Sequence, residues 1–297
     1  MVKKFTACKS AKRQVADLTL AAAVLFFCTS PSGAAPQRVV STFLCTDEYV
    51  FRLVPRARIA ALSFEAGDAH PVVSTIADKV GGITQIRPST ETVLNLHPDL
   101  VVMYQGTMAR LHANLIALRV PVLDVPWANS LADIARTTML LGEKLGAQSQ
   151  AAALVAGMHA KLAAVRAATH RPAVRTLIYE PNGYATTGGV TEELMRLAGL
   201  VNAAPGLRPT RSGTIPVETI IAAAPDLLIL SGQRTADSRA TLVLHHHALA
   251  SLQGRTYSTW APLVPLLCPG PWSADAAETF SVLAAKARTL AKPQARN

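Results

Sequence analysis

An α/β protein of two similar lobes, each with a parallel sheet, joined by a long backbone helix and with a ligand cleft between them, is the fold this sequence predicts. Three observations predict it. The segment Glu91-Thr-Val-Leu-Asn-Leu-His-Pro-Asp-Leu-Val-Val-Met returns 127 residues later as Glu218-Thr-Ile-Ile-Ala-Ala-Ala-Pro-Asp-Leu-Leu-Ile-Leu, with Glu, Thr, Pro, Asp and Leu in register. Each lobe also opens in the same way: a strand over 39–43 leads to a helix over 47–53, and a strand over 176–179 leads to a helix over 191–197. Between the two halves, residues 130–169 are rich in Ala, Leu, Lys and Gln with no internal Pro, which predicts one or two long helices.

Each element of the repeat has a local cause. A cap residue opens the helix, Ser89 or Thr90 in the first copy and Thr214 with Pro216 in the second. Pro98 and Pro225 then stop it after about two turns, because proline lacks the N–H that would continue the ladder. An apolar strand rich in Val, Ile and Leu follows, as suits a strand covered on both faces. The expected boundaries are 36–128 for the first lobe, 129–171 for the helical connection and 172–297 for the second lobe. A helical connection is stiffer than a two-stranded hinge, so small lobe motion is expected.

Composition narrows the function class. The chain has 297 residues, half of them hydrophobic, enough to bury a sizeable core, and this excludes a disordered protein. Mean hydropathy is +0.26, yet Pro or charged residues interrupt every apolar run after residue 30, so no multi-pass membrane protein fits. The beginning reads as an export signal over residues 1–35: five cations, the apolar run Leu18 to Cys28, then Ser-Pro-Ser-Gly-Ala-Ala, with cleavage expected after Ala34 or Ala35. A lipidated Cys28 fits less well, because bulky Phe27 precedes it. Without that leader, 24 cations face 18 acids, a diffuse excess that argues against nucleic-acid binding. In the oxidising compartment that export implies, only Cys45 and Cys268 remain, and three fates stay open for them: one disulfide stapling the lobes, ligation of a soft metal or corrinoid, or free thiols.

Ligands of open parallel sheets bind beyond the carboxyl ends of the strands. Phe64, Tyr104, Trp127, Tyr184, Trp260 and Trp272 fall in loops expected there, where aromatic faces stack on a macrocycle or aryl chelator. Arg87 and Arg211 are candidate clamps for anionic groups through their bidentate guanidinium forks. His245-His246-His247 suggests a metal site, but adjacent side chains on a helix diverge, so a solvated helix start is expected and no metal site is assigned. No Gly-x-Ser-x-Gly, His-Glu-x-x-His or phosphate-cradling motif occurs, and no catalytic residue is assigned.

The opening Arg38-Val-Val-Ser-Thr, the stretch from Gly81-Gly82 to Glu91 and the two Pro-Asp-Leu boxes resemble the substrate-binding proteins of iron-siderophore, haem and vitamin B12 ABC importers. The resemblance implies a monomeric periplasmic receptor, not an enzyme, that captures a metal chelate as cargo and keeps no resident cofactor. It implies a partner, the transmembrane dimer of an ABC permease, whose arginines would engage Glu91 and Glu218, one carboxylate on each lobe. It also implies an arginine and a tyrosine in the cleft, for which Arg87 and Tyr104 stand at matching places. An exported tetrapyrrole-handling enzyme of chelatase type, or a free-metal receptor on a related scaffold, is the alternative.

Overall fold

The computed structural model describes residues 34–68, 73–169, 171–232, 234 and 238–291. The segment through Gly33, where the export signal is expected, lies outside the described residues, as do His70, His170 and Gln233. The first lobe runs β1 (Val39–Ser41), α1 (Leu44–Leu53), β2 (Ile59–Ser63), β3 (Gln85–Ile86), α2 (Thr90–Leu94), β4 (Leu100–Tyr104), α3 (Ala109–Ala117) and β5 (Val122–Val125). Its five strands are all parallel, in the order β3-β2-β1-β4-β5. Two helices follow, α4 (Leu131–Leu145) and α5 (Gln148–Ala168). The second lobe runs β6 (Val174–Tyr179), α6 (Gly189–Leu197), β7 (Leu200–Asn202), α7 (Val217–Ala223), β8 (Leu227–Ser231), β9 (Tyr257–Ala261), α8 (Val264–Leu267) and α9 (Ala274–Ala291). Its four parallel strands lie in the order β7-β6-β8-β9.

The repeated box has a structural reason. The Asp99 carboxylate accepts the backbone N–H groups of Gln37 and Arg38, at 2.6 and 2.9 Å, and so ties the start of β1 to the start of β4. Asp226 accepts the N–H of Arg175 at 2.8 Å and ties β6 to β8 in the same way. In each lobe the aspartate fixes the register of the two central strands, and the following Leu100 or Leu227 enters the sheet. Ser89 caps α2 as expected, accepting the N–H of Thr92. Thr214 does not cap α7; its hydroxyl joins Thr210 in a turn, and Pro216 stands at the helix start instead.

The backbone helix expected over 129–171 is a hairpin of two helices. Gly146, with φ of +65°, adopts the left-handed conformation that ends α4, and α5 starts two residues later. Leu141 and Leu145 of α4 pack with Ala151 of α5 on the first lobe, while Ile134 of α4 packs with Met158, Leu162 and Val165 of α5 on the second. The hairpin therefore lies along both lobes. Gly142 lets the two helices approach: a Cβ there would collide with that of Ala151.

A second crossing departs from the expected division at residue 172. After β9 the chain leaves the second lobe, and Cys268 and Trp272 enter the core of the first before α9 returns. Ala274, Ala277, Phe280, Ala284 and Ala287 then recur at helical spacing and seat α9 on the second lobe.

Candidate functional site

The carboxyl ends of the first-lobe strands carry an aromatic cluster. Tyr104 is the last residue of β4, and its ring lies 4.1 Å from that of Trp127, which follows β5. Phe43, directly before α1, closes the cluster at 5.8 Å from Tyr104 and 6.5 Å from Trp127. Trp127 remains 48 % exposed while its indole N–H donates to the carbonyl of Gln105, so one broad face is held open to solvent. Behind it, Tyr104 is buried, and its hydroxyl is the one described buried side-chain atom with no hydrogen-bond partner. Burial pushes the Tyr104 phenol up to about 12. Sequence reasoning did not select Phe43, because it counted this residue as the end of a strand over 39–43, whereas β1 stops at Ser41.

Phe64 and Arg87 form a second wall on the same edge. Phe64 opens the turn after β2, Arg87 follows β3, and the guanidinium carbon sits 4.0 Å above the phenyl centroid. Across the molecule, Tyr184 follows the end of β6, is 45 % exposed, and lies within contact distance of Gly213. Arg211 is exposed on the same 210–214 turn. The segment Pro126–Ser130 carries the chain from the end of β5 to α4, whose first N–H, that of Leu131, donates to the Glu193 carboxylate of α6 at 3.3 Å. Trp127 also borders a groove of about 350 Å³ along α4, with Arg136 and Leu140.

Two expected cleft aromatics do not stand in the open loops predicted for them. Trp260 is inside β9, which extends to Ala261, and it packs on the second-lobe core and on His245 at 4.8 Å. Trp272 is buried in the first lobe: its ring meets Tyr49 at 4.9 Å, Arg52 stacks on it at 4.4 Å, and its N–H donates to the carbonyl of Cys268. Core packing accounts for Trp272, while Trp260 stays partly exposed near the carboxyl end of β9. Cys45, expected in a loop, stands in the first turn of α1 and is disulfide-bonded to Cys268, with both side chains buried. Tyr49 donates to the carbonyl of Pro269 at 3.2 Å beside the bridge.

Glu91 and Glu218 are exposed in the first turns of α2 and α7, where the free N–H groups favour a carboxylate. Glu218 borders a groove with Arg175 and Arg208. His245 ends one 3-10 turn, His247 starts the next, and His246 between them accepts the N–H of Ala248. Among the described residues no three His, Cys, Asp or Glu side chains converge as a metal site.

No curated protein matches this sequence. Among solved structures, the haem-binding protein RhuT from Roseiflexus sp. RS-1 is similar with a TM-score of 0.65 at 20 % identity, over 84 % of this chain and 98 % of that one. The vitamin B12 binding protein BtuF of Vibrio cholerae gives 0.62 at 17 % identity, over 86 % and 98 %. A ferric-hydroxamate transport protein from Saccharomonospora viridis gives 0.59 at 19 %, over 84 % and 93 %. These likenesses establish the two-lobed fold. The matched family is one of binding proteins rather than enzymes. Residues 58–253 match the family described as periplasmic binding protein, and the chain belongs to that family.

Proposed function

We propose that this protein is the receptor of an ABC importer for a metal chelate of the ferric-siderophore, haem or corrinoid type, which it delivers unaltered to the permease. The observation that carries the reading is the open face of Trp127, backed by Tyr104 and Phe43 at the strand ends. A flat or aryl-rich ligand stacks on such a face and removes a large apolar area from water. Arg87, held over Phe64, keeps its donors free for anionic groups of the chelate, and Tyr184 and Arg211 supply the opposing lobe. Haem and vitamin B12, named for two of the similar structures, carry a macrocycle of this kind, whereas the hydroxamate named for a third does not. Permease delivery falls to Glu91 and Glu218, exposed at equivalent places on the two lobes.

Titrating the protein with haemin, cyanocobalamin and ferrichrome while following tryptophan emission tests the capture. One chelate is expected to quench Trp127, and Trp127→Phe to remove that part of the signal. Failure of all three to quench would overturn the reading. Reversing both docking carboxylates, Glu91→Arg with Glu218→Arg, is expected to leave that affinity intact and abolish uptake by cells, since like charges would then oppose the permease arginines.

A further inference from the structure

Asp47 lies in the first turn of α1 with no exposed surface and with no ion pair among the described residues. A carboxylate so placed costs folding energy, and its partners indicate what it does. One oxygen accepts the backbone N–H of Ser63 at 3.1 Å and the other accepts its hydroxyl at 2.5 Å. Ser63 ends β2 and opens the turn Phe64–Gly67, so Asp47 grips the residue immediately before Phe64. The same turn is held at two further points. Glu65 accepts the N–H of Leu44 at 3.4 Å, and Gly67 lies so close to the Gln85 amide of β3 that a Cβ would collide with it. Phe64 in turn carries the Arg87 guanidinium on its ring.

We infer that Asp47 is a positioning residue that sets the Phe64–Arg87 wall of the cleft and makes its placement respond to protons. The inference rests on the chelate-receptor reading only for what the wall is for; the coupling itself is a property of the unliganded protein. The groups facing Asp47 are Ser41 of β1, Ser63 of β2 and Glu65 of the turn, while its neighbour Glu48 is engaged instead by Ser74, Thr75 and Arg52. Burial pushes the Asp47 carboxyl up to about 6, the negative Glu65 adds to the rise, and hydrogen bonds from Ser41 and Ser63 oppose it. The ionised form only accepts, which suits both donors of Ser63. The protonated form keeps one oxygen to accept the Ser63 N–H but turns the other into a donor, so the hydroxyl of Ser63 or Ser41 must reverse to accept from it, which rearranges the grip.

Nuclear magnetic resonance of the Arg87 Nε–H group, shifted upfield by the Phe64 ring and assigned by its loss in Arg87→Lys, reads the wall without any ligand. In the wild type this resonance is expected to move with a midpoint near pH 6. In Asp47→Asn, which keeps the shape and cannot ionise, it is expected to stay constant with pH while remaining upfield. Asp47→Ala should lose the ring shift at every pH. A wild-type resonance that does not titrate between pH 4.5 and 7.5, or an unchanged titration in Asp47→Asn, would overturn the inference; if Asp47→Ala fails to fold, the Asn variant decides alone. Haemin, cyanocobalamin and ferrichrome titrations of the same samples separate the two readings. A titrating wall in a protein that binds none of them upholds the coupling and removes the receptor reading.

Discussion

Replacing Cys45 and Cys268 together with alanine removes the bridge between α1 and the segment that crosses back from the second lobe. The two cysteines are 223 residues apart, and closing a loop of that length in the unfolded chain is worth about 5 kcal/mol on the chain-entropy account. The native packing limits the loss, because Tyr49 still donates to Pro269 and still stacks on Trp272 in the reduced protein. A destabilisation of about 2–5 kcal/mol is therefore expected, which for a body of this size lowers Tm by roughly 5–15 °C. Urea unfolding of wild type and variant measures it, and the slope m should rise in the variant as its unfolded chain expands. Peptide mapping without reductant should recover the Cys45 and Cys268 peptides linked. Equal urea midpoints, or a map without the linked pair, would refute this account of how the crossing segment is held.

Trp272→Ala is expected to cost about 3–5 kcal/mol by urea unfolding, since it empties a buried site, and to leave any chelate quenching of Trp127 intact. Trp127→Ala should do the reverse, changing stability by about 1 kcal/mol or less, because its ring is half exposed, while weakening chelate binding in the same titration. Gly142→Val should cost about 1–3 kcal/mol, seen as a lower Tm, by forcing α4 away from Ala151. Asp47 gives a pH dependence with a definite sign. Its carboxyl is raised to about 6, so between about pH 4 and 6 the folded protein holds a proton that the unfolded chain has released. Its share of stability, about 3 kcal/mol, is present at low pH and lost as pH rises through 6, and Asp47→Asn should flatten that part of the stability profile.

The duplicated Pro-Asp-Leu box made the two sheets legible, because its aspartates act locally on the strands beside them. Gly146 was a legible helix end within 130–169, and reading it as a left-handed stop would have given the hairpin directly. Of the candidate site, Tyr104 and Trp127 were reached by counting residues past the strands, and they do meet. Trp260 was misplaced because β9 runs on to Ala261, a boundary that its Tyr-Ser-Thr-Trp-Ala sequence does not mark. Trp272 was misplaced for a deeper reason: the return of the chain to the first lobe is a tertiary event, and a nearby cysteine was its one local trace.

That return also orders the birth of the molecule. Protein chains emerge from a translocation channel from the first residue to the last, and the first lobe waits for Cys268, Pro269 and Trp272 before Tyr49 and Cys45 acquire their partners. Nearly the whole chain must cross before that lobe is sealed. Until then the first lobe lacks the partners that close its core. A chain cut short before residue 268 would keep the two Pro-Asp-Leu boxes, yet its first lobe would carry an unpaired thiol at Cys45 and an open core, both marks by which quality control distinguishes unfinished proteins.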